Sequence, residues 1–463
     1  MIQQIVQAFK NAELRSKILT TLGILAVYRV GFQIPIPGLS PTYLKQLAEN
    51  AQGTVFGLLS AFSGGAIGQT AIFSLGIMPY ISASIIFSIL AKVSPQLEAI
   101  QKEGAAGQKK INQWTRLSVV PIAILQALFV WFSLFAKSPE MIAGSGIPGW
   151  MMPFIVVLAL TAGAILVMWL GELITDHGIG NGASLIIMAG IIATMPSSLS
   201  RVLAQDDRAY NTIATLIAMW VSIVLFIVFI QKGERRIPIQ YARLTRGRRV
   251  YGGQKHFLPL KVNMAGVMPI IFASALFMIP SVLFSTVGLD RIGNLLLDQD
   301  GFLYVTLSMA LVLFFCFFWN NLMFRPEDIA NNLREQGSFI PGIRPGARTA
   351  EHIKHVLQRI TLAGAVFLAL IAVIPGVVTA QVPGLNQNLA YFLGGTSVLI
   401  VVGVALDLVD KLQAQMVMRS YDGYMEGGQG PSWASRKQDG GDGQGPQGGG
   451  AKGAKVEKTK SGS

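Results

Sequence analysis

Charge is what this sequence has least of. Asp, Glu, Lys and Arg make up 13% of its 463 residues, about half the share usual in a soluble domain, so an assembly of water-soluble domains is excluded. Cysteine is nearly absent as well. Cys316 stands alone inside an apolar run, so no internal disulfide can form and the redox compartment is left open. Only four histidines occur; His352 and His355 lie three apart on a predicted helix, but no third ligand accompanies them, and a metal centre is not expected. HExxH, Gly-x-Ser-Gly and Gly-x-Gly-Asp patterns are missing, and so is a phosphate-cradling loop. Intramembrane proteolysis and nucleotide hydrolysis therefore lack their usual residues. No cofactor is expected, and any energy has to come from partners. Residues 1–17 show no short apolar core with a small-residue cleavage site, so insertion is expected to rely on the first span itself.

What the chain does have is apolar length. Apolar residues reach 52%, the mean hydropathy is positive, and runs long enough to cross a bilayer recur throughout, which indicates a polytopic α-helical membrane protein. Ten runs are predicted, at 18–35, 67–91, 117–136, 152–170, 183–199, 211–230, 264–286, 302–324, 360–380 and 389–406. Of the 37 Lys and Arg residues, 31 fall in the termini and the even-numbered connections. Basic segments stay in the cytoplasm, so both termini are expected there. Ten spans divide into two fives: a first half at 1–199, an external linker at 200–210, and a second half at 211–425. An odd number of spans per half inverts the second relative to the first, which allows a site or pore between them.

The second run is interrupted where a plain span would be continuous. Gly64, Gly65 and Gly68 come first, then a short apolar piece with Gln69 and Thr70, then Gly76 and Pro79, and only then an unbroken run from Tyr80 to Ala91. That run is shorter than the roughly 20 residues needed to cross. Residues 61–73 are thus expected to dip in from one side as a half-helix, the alternative being an ordinary span with a glycine-rich lead-in. Unpaired backbone at membrane depth is tolerated only when it is buried in protein or lines a water-filled cavity. A cavity is therefore predicted beside this break.

Two cytoplasmic connections, 231–263 and 325–359, are too long to be turns. The first reads as a projecting basic ribbon: extended and alternating around Pro238, then Arg243, Arg246, Arg248 and Arg249 before Gly252-Gly253. In the second, Pro326, Glu327 and Asp328 suit a helix start and Gly337 its stop. Two Pro-Gly pairs then bracket Arg344, which holds one guanidinium on a stiff exposed loop, and Thr349 is expected to cap the next helix. The tail at 426–463 is rich in Gly and Lys and is expected to be disordered, either simply solvated or touching anionic lipids or ribosomal RNA.

An ion-coupled transporter needs a carboxylate near the midplane. Glu172, Asp407 and Asp410 fall instead at span ends, and Arg29, inside the first run, either snorkels or pairs with a helix end. A broken-helix, uncharged interior under a basic face suits a conduit better than a pump. A secondary transporter for a small solute, and a lipid or protein insertase, are the competing readings.

Several stretches resemble the SecY/Sec61-alpha family of protein-conducting channels: YRVGFQIPIPG from Tyr28, LGIMPYISASII from Leu75, WLGELITDHGIGNGASLII from Trp169, RRIPIQYARL from Arg235, LPLKVNMAGVMPIIFAS from Leu258 and PEDIANNLREQGSFIPGIRPG from Pro326. The resemblance implies an all-α membrane protein with ten transmembrane helices in two inverted five-helix halves around a central hourglass pore. It implies a plug half-helix at 61–73, carried by Ala61, Gly64, Gly65, Ile67, Gly68, Thr70 and Phe73. By motif position the apolar pore ring falls on Ile77, Ile81, Ile187, Ile271 and Ile400, and Ser82, Ser84, Ser88 and Ser274 line a lateral gate. The implied activity is passage of signal peptides and nascent polypeptides across, or sideways into, the cytoplasmic (inner) membrane. The implied partners are SecE and SecG in the membrane, and the motor ATPase SecA or a ribosome at Arg344 and the basic ribbon.

Overall fold

The computed structural model describes residues 12–39, 71–132, 147–205, 209–241, 244–246, 249–251, 255–264, 266, 268–270, 273, 301–381 and 396–426. In chain order the first half supplies α1 (Ala12–Gly31), α2 (Met78–Val93), α3 (Pro95–Lys102), α4 (Ala105–Val130), α5 (Met152–His177) and α6 (Gly182–Gln205). The second supplies α7 (Ala209–Gln231), strands β1 (Glu234–Tyr241), β2 (Leu244–Arg246), β3 (Arg249–Tyr251) and β4 (Lys255–Lys261), then α8 (Phe302–Met323), α9 (Pro326–Glu335), β5 (Ser338–Phe339), α10 (Ala347–Gln381) and α11 (Thr396–Glu426). One compact unit, residues 1–412, holds the first half and the second half as far as Leu412; a second unit, 413–463, begins inside α11.

Among the described residues α4, α5, α8 and α10 are each long and apolar enough to cross a bilayer. The runs predicted at 18–35, 183–199, 211–230 and 389–406 are occupied by α1, α6, α7 and α11, while most of the run at 264–286 lies outside the described residues. α2 has 16 residues and passes as a span only together with α3, from which it is bent by 97°. Pro95 sets that bend. The residue before a proline is driven out of the helical region, and Ser94 is extended (φ −89°, ψ 119°), ending α2 and preceding α3.

The break ahead of α2 is real. Residues 71–77 run as successive turns, with the Ser74 N–H donating to the Ala71 carbonyl (3.0 Å) and the Gly76 N–H to Phe73 (2.7 Å). Ala71 bridges Pro35, and the Ile72 N–H donates to the Ile34 carbonyl at 3.1 Å. Residues 71–73 are therefore not the end of a half-helix, because their backbone pairs with the strand-like segment after α1. The rest of the expected half-helix, 61–70, lies outside the described residues. Ala71, Phe73, Ser74, Leu75 and Ile77 are all buried, which is how irregular backbone survives at membrane depth. α5 reaches this segment through Gly163, where a Cβ would collide with the Ile72 carbonyl oxygen.

The halves have separate cores. In the first, Ala123 and Ala127 of α4 let Leu75, Met152, Val156 and Leu160 approach closely, the small-residue packing favoured between membrane helices. In the second, α8 and α10 pack Val312, Cys316, Leu368 and Ile371 together, so the lone cysteine is a core residue. Asn320 of α8 donates to Thr361 of α10 at 2.5 Å within this contact. Arg29 sits in the last turn of α1 with its guanidinium 5.5 Å from the Phe32 ring, where helix dipole and π-face both favour a cation.

The two long connections form one structure. β1 pairs antiparallel with β4, and its other edge takes β5 at Gln240 and Tyr241, giving the order β4-β1-β5. β5 covers only that end, so Pro238, which cannot donate to a ladder, lies where this edge of β1 is open. Ile237 and Ile239 alternate inward, and Ile237 joins Leu260, Ile340, Ile353 and Leu357 in a cluster that seats the sheet on α9 and α10. α9 starts on Pro326 and stops at Gly337 (φ +66°), as its sequence suggests. Thr349 does not cap α10. The helix begins at Ala347, two residues earlier, because the Pro345-Gly346 turn already releases the chain into it, and buried Thr349 Oγ1 donates instead to the Arg344 carbonyl at 2.9 Å.

Candidate functional site

A cavity of about 420 Å³ opens between elements of the two halves. α2 contributes Tyr80, Ile81, Ser84 and Ile85; the start of α6 contributes Asn181, Ala183, Ser184 and Ile187. Gln231, Lys232, Lys261, Asn263 and Met268 line it as well, with the face of α11 carrying Ile400, Gly403, Val404, Asp407 and Asp410. The chemistry is graded. From Ile400 to Asp410 α11 rises about 15 Å, and along that length the lining passes from isoleucine to carboxylate. Lys232 and Lys261, at the ends of α7 and β4, lie on the wall as well.

Local sequence explains how each side chain gets there. Asn181 caps α6, its Oδ1 accepting the N–H groups of Ala183 (3.1 Å) and Ser184 (3.4 Å), which presents the first turn of α6 to the cavity. Ser184 and Ile187 are three residues apart and share that face. On α11, Ile400, Gly403, Asp407 and Asp410 recur at three- and four-residue spacing and form one stripe, with Asp407 paired to Lys411 at 2.9 Å.

Of the five isoleucines assigned to a ring, Ile81, Ile187 and Ile400 line this one cavity. Ile77 is 4% exposed and packs beside Gly171 of α5, and Ile271 lies outside the described residues. Phe73 is buried in an aromatic cluster with Tyr28 and Phe32, its ring centroid 6.1 Å from each; Ala61, Gly64, Gly65, Ile67, Gly68 and Thr70 are not described. Ser84 lines the cavity, but Ser82 accepts from Gln126 of α4 at 3.4 Å and Ser88 donates to the Ser84 carbonyl at 2.7 Å, so these two do not reach it. Ser274 is outside the described residues.

Arg344 is exposed and held as its sequence suggests. The Ile343 N–H closes a turn onto the Ile340 carbonyl at 3.1 Å, with Gly342 at φ +84°, a conformation that excludes most side chains. In the ribbon, β2 and β3 form a hairpin whose register sets residue 246 opposite residue 249; Arg243 and Arg248 lie outside the described residues. Sequence reasoning missed the carboxylates. Asp407 and Asp410 read as span-end residues, and only their spacing with Ile400 and Gly403 signals that they share the cavity face.

A family model for SecY matches residues 71–409. The chain belongs to the SecY family. It is 44% identical over 441 residues to the protein translocase subunit SecY of Streptomyces coelicolor, and 40% identical over 449 residues to that of Mycobacterium tuberculosis, in each case over 92% of this chain and 100% of the relative. Its fold is similar to a solved protein-conducting channel (TM-score 0.57, 17% identity, 87% of this chain and 93% of that one). It is also similar to a SecY structure described with a plug domain that stabilises the closed channel (TM-score 0.56, 18% identity, 87% and 92%), and to Sec61 in a canine ribosome-channel complex (TM-score 0.53, 15% identity, 87% and 93%). The matched residues contain every residue named on the cavity wall except Asp410. The SecY fold is thus the frame that brings the two halves to one cavity.

Proposed function

We propose that this chain forms the conducting path of a protein translocase, through which unfolded secretory polypeptides cross the cytoplasmic membrane and hydrophobic segments leave sideways into lipid. The observation that carries this reading is the graded cavity between the halves, charged at one end and isoleucine-lined at the other. A narrow apolar constriction sheds water and blocks ions without holding a chain that slides through it. Ile77, Ile81, Ile187, Ile271 and Ile400 act as the ring, residues 61–70 as the plug, and the seam between α2 with α4 and the seventh span with α8 as the lateral gate. The presence of Ile81, Ile187, Ile400 and Ser84 on one cavity supports the roles of these four.

The chain does no chemistry in this reading. A SecA-type motor or a translating ribosome supplies the work, docking on Arg344 and on the basic ribbon of Arg243, Arg246, Arg248 and Arg249, since guanidinium groups pair well with carboxylate and phosphate. SecE and SecG complete the complex in the inner membrane, with both termini of this chain in the cytoplasm and its basic segments against anionic lipids, as 31 of 37 basic residues support. Purification in detergent and reconstitution test the reading. Two small membrane proteins are expected to co-purify, and vesicles given motor ATPase and ATP should accumulate protease-protected preprotein. A chain that purifies alone and carries a small solute without partners overturns it.

A further inference from the structure

Among the described residues one ion pair joins the two halves: Arg325 Nη1 lies 2.5 Å from Glu98 Oε1, across 227 positions of sequence. The pair sits at a telling place. Glu98 is on α3, which leaves α2 at the Ser94-Pro95 bend, and Arg325 is the extended residue between α8 and α9 (φ −102°, ψ 104°). α2 and α8 stand on opposite sides of the seam assigned above to the lateral gate. Both ends are anchored. α3 is hydrogen-bonded onto the end of α2 through the Glu98 N–H and Ser94 carbonyl (3.0 Å). Arg325 is fixed from both directions, by the Phe324 N–H on Asn320 of α8 (3.0 Å) and by its own carbonyl, which accepts from Ile329 of α9 (3.3 Å). Separation of α8 from α2 at this end therefore breaks the pair. Lys102, 3.3 Å from the same Glu98 oxygen, is on α3 itself and moves with Glu98, so it offers no link across the seam.

We propose that Glu98 and Arg325 form a clasp on the cytoplasmic end of the lateral gate, and that the clasp sets how hydrophobic a signal segment must be to open it. The proposal rests on the gate reading above. A segment opens the seam only through its preference for the open form, so whatever favours the closed form raises the demand on the segment. Side chains that are 24% (Glu98) and 39% (Arg325) exposed make a clasp of modest strength, one that tunes selectivity and does not lock the channel.

The test uses the reconstituted complex with motor ATPase and preproteins whose signal cores are graded in leucine content. Glu98→Gln and Arg325→Gln should each raise transport of the weakest signals about two- to fivefold, the range of an exposed pair, while the strongest signals are unaffected. The double variant should do no more than either single one, because both remove the same interaction, and Arg325→Lys should stay near the unsubstituted channel. Ile81→Asn, which opens the gate by another route, runs alongside. If Ile81→Asn shifts the threshold while the Gln variants do not, or if their effects add, the clasp is refuted and the gate stands. If no variant shifts it, Ile81→Asn included, the gate reading has failed and the clasp falls with it.

Discussion

Ile81→Asn tests the cavity's isoleucine lining most directly. Ile81 is 8% exposed, packed on one side in the cluster of Ile77, Ile174 and Ile186 and facing the cavity on the other. Full burial of such a side chain is worth about 1.5–3 kcal/mol. Opening parts the cavity walls, so Ile81 forfeits a fraction of that burial in the open form, and Asn, with little to forfeit, narrows the gap. If half the burial is given up, the closed form loses about 1 kcal/mol of its advantage, which is roughly fivefold in population. Ile400→Asn, at 4% exposure on the part of the lining that α11 supplies, should act in the same direction. The double variant should approach about 30-fold if the two contributions add. Planar-bilayer current from the purified complex reads the population, and export of weakly hydrophobic signals reads its consequence. Ile81→Leu keeps volume and apolarity and serves as the control. Ile186 would be a poor one: it is fully buried beside Gly171, and Asn there would damage packing instead of the gate. A silent double variant, or an Ile81→Leu channel that leaks as much as Ile81→Asn, would show that these isoleucines are core and not constriction.

Gly163→Ala drives a methyl into the Ile72 carbonyl, backbone that cannot rotate away, so the purified complex should lose about 1–3 kcal/mol of stability; an unchanged melting temperature would mean that α5 does not meet the 71–77 turn so closely. Arg344→Glu should leave the complex assembled, within about 0.5 kcal/mol, because the side chain is exposed, yet slow motor-driven export; normal export with purified motor removes Arg344 from the docking surface. Hydrogen bonds from Arg325 and then Lys102 hold the Glu98 carboxyl below the usual carboxylate range. A depressed acid contributes above its unfolded pKa and loses that contribution as pH falls through the folded one, so signal selectivity should be flat between about pH 6 and 8, and a Glu98-dependent change within that window would contradict the pairing.

Much of this architecture was legible because a bilayer leaves a chain few options. Backbone in hydrocarbon must satisfy its own hydrogen bonds, so each apolar run of sufficient length could only be a helix, and nine of the ten predicted runs hold one of the helices α1, α2, α4 to α8, α10 and α11. Punctuation was legible for an equally local reason. Pro326 starts α9, Gly337 stops it, and Gly342 makes its turn, since each acts on its own φ, ψ or that of a neighbour. The basic ribbon showed itself by alternation around Pro238.

What local pattern could not carry was decided by packing. Thr349 had the composition of a cap, but the turn at Gly346 started α10 first and left its hydroxyl to the Arg344 carbonyl. β5 is two residues long and has no strand signal of its own; it exists because α9 delivers it to the open edge of β1. Asp407 and Asp410 looked like solvated residues at the end of a span until α11 was set against α2 and α6 around one cavity. Glu98 and Arg325 were two ordinary surface charges in sequence, and their pairing depends on where the α3 bend and the end of α8 arrive in space. Sequence by itself determined which segments are helices, where they break, and which face is basic, because bilayer burial and proline and glycine dihedrals act within a few residues. Only the tertiary structure decided which isoleucines share a wall and which charges meet across the halves, because those juxtapositions arise from packing between helices hundreds of residues apart.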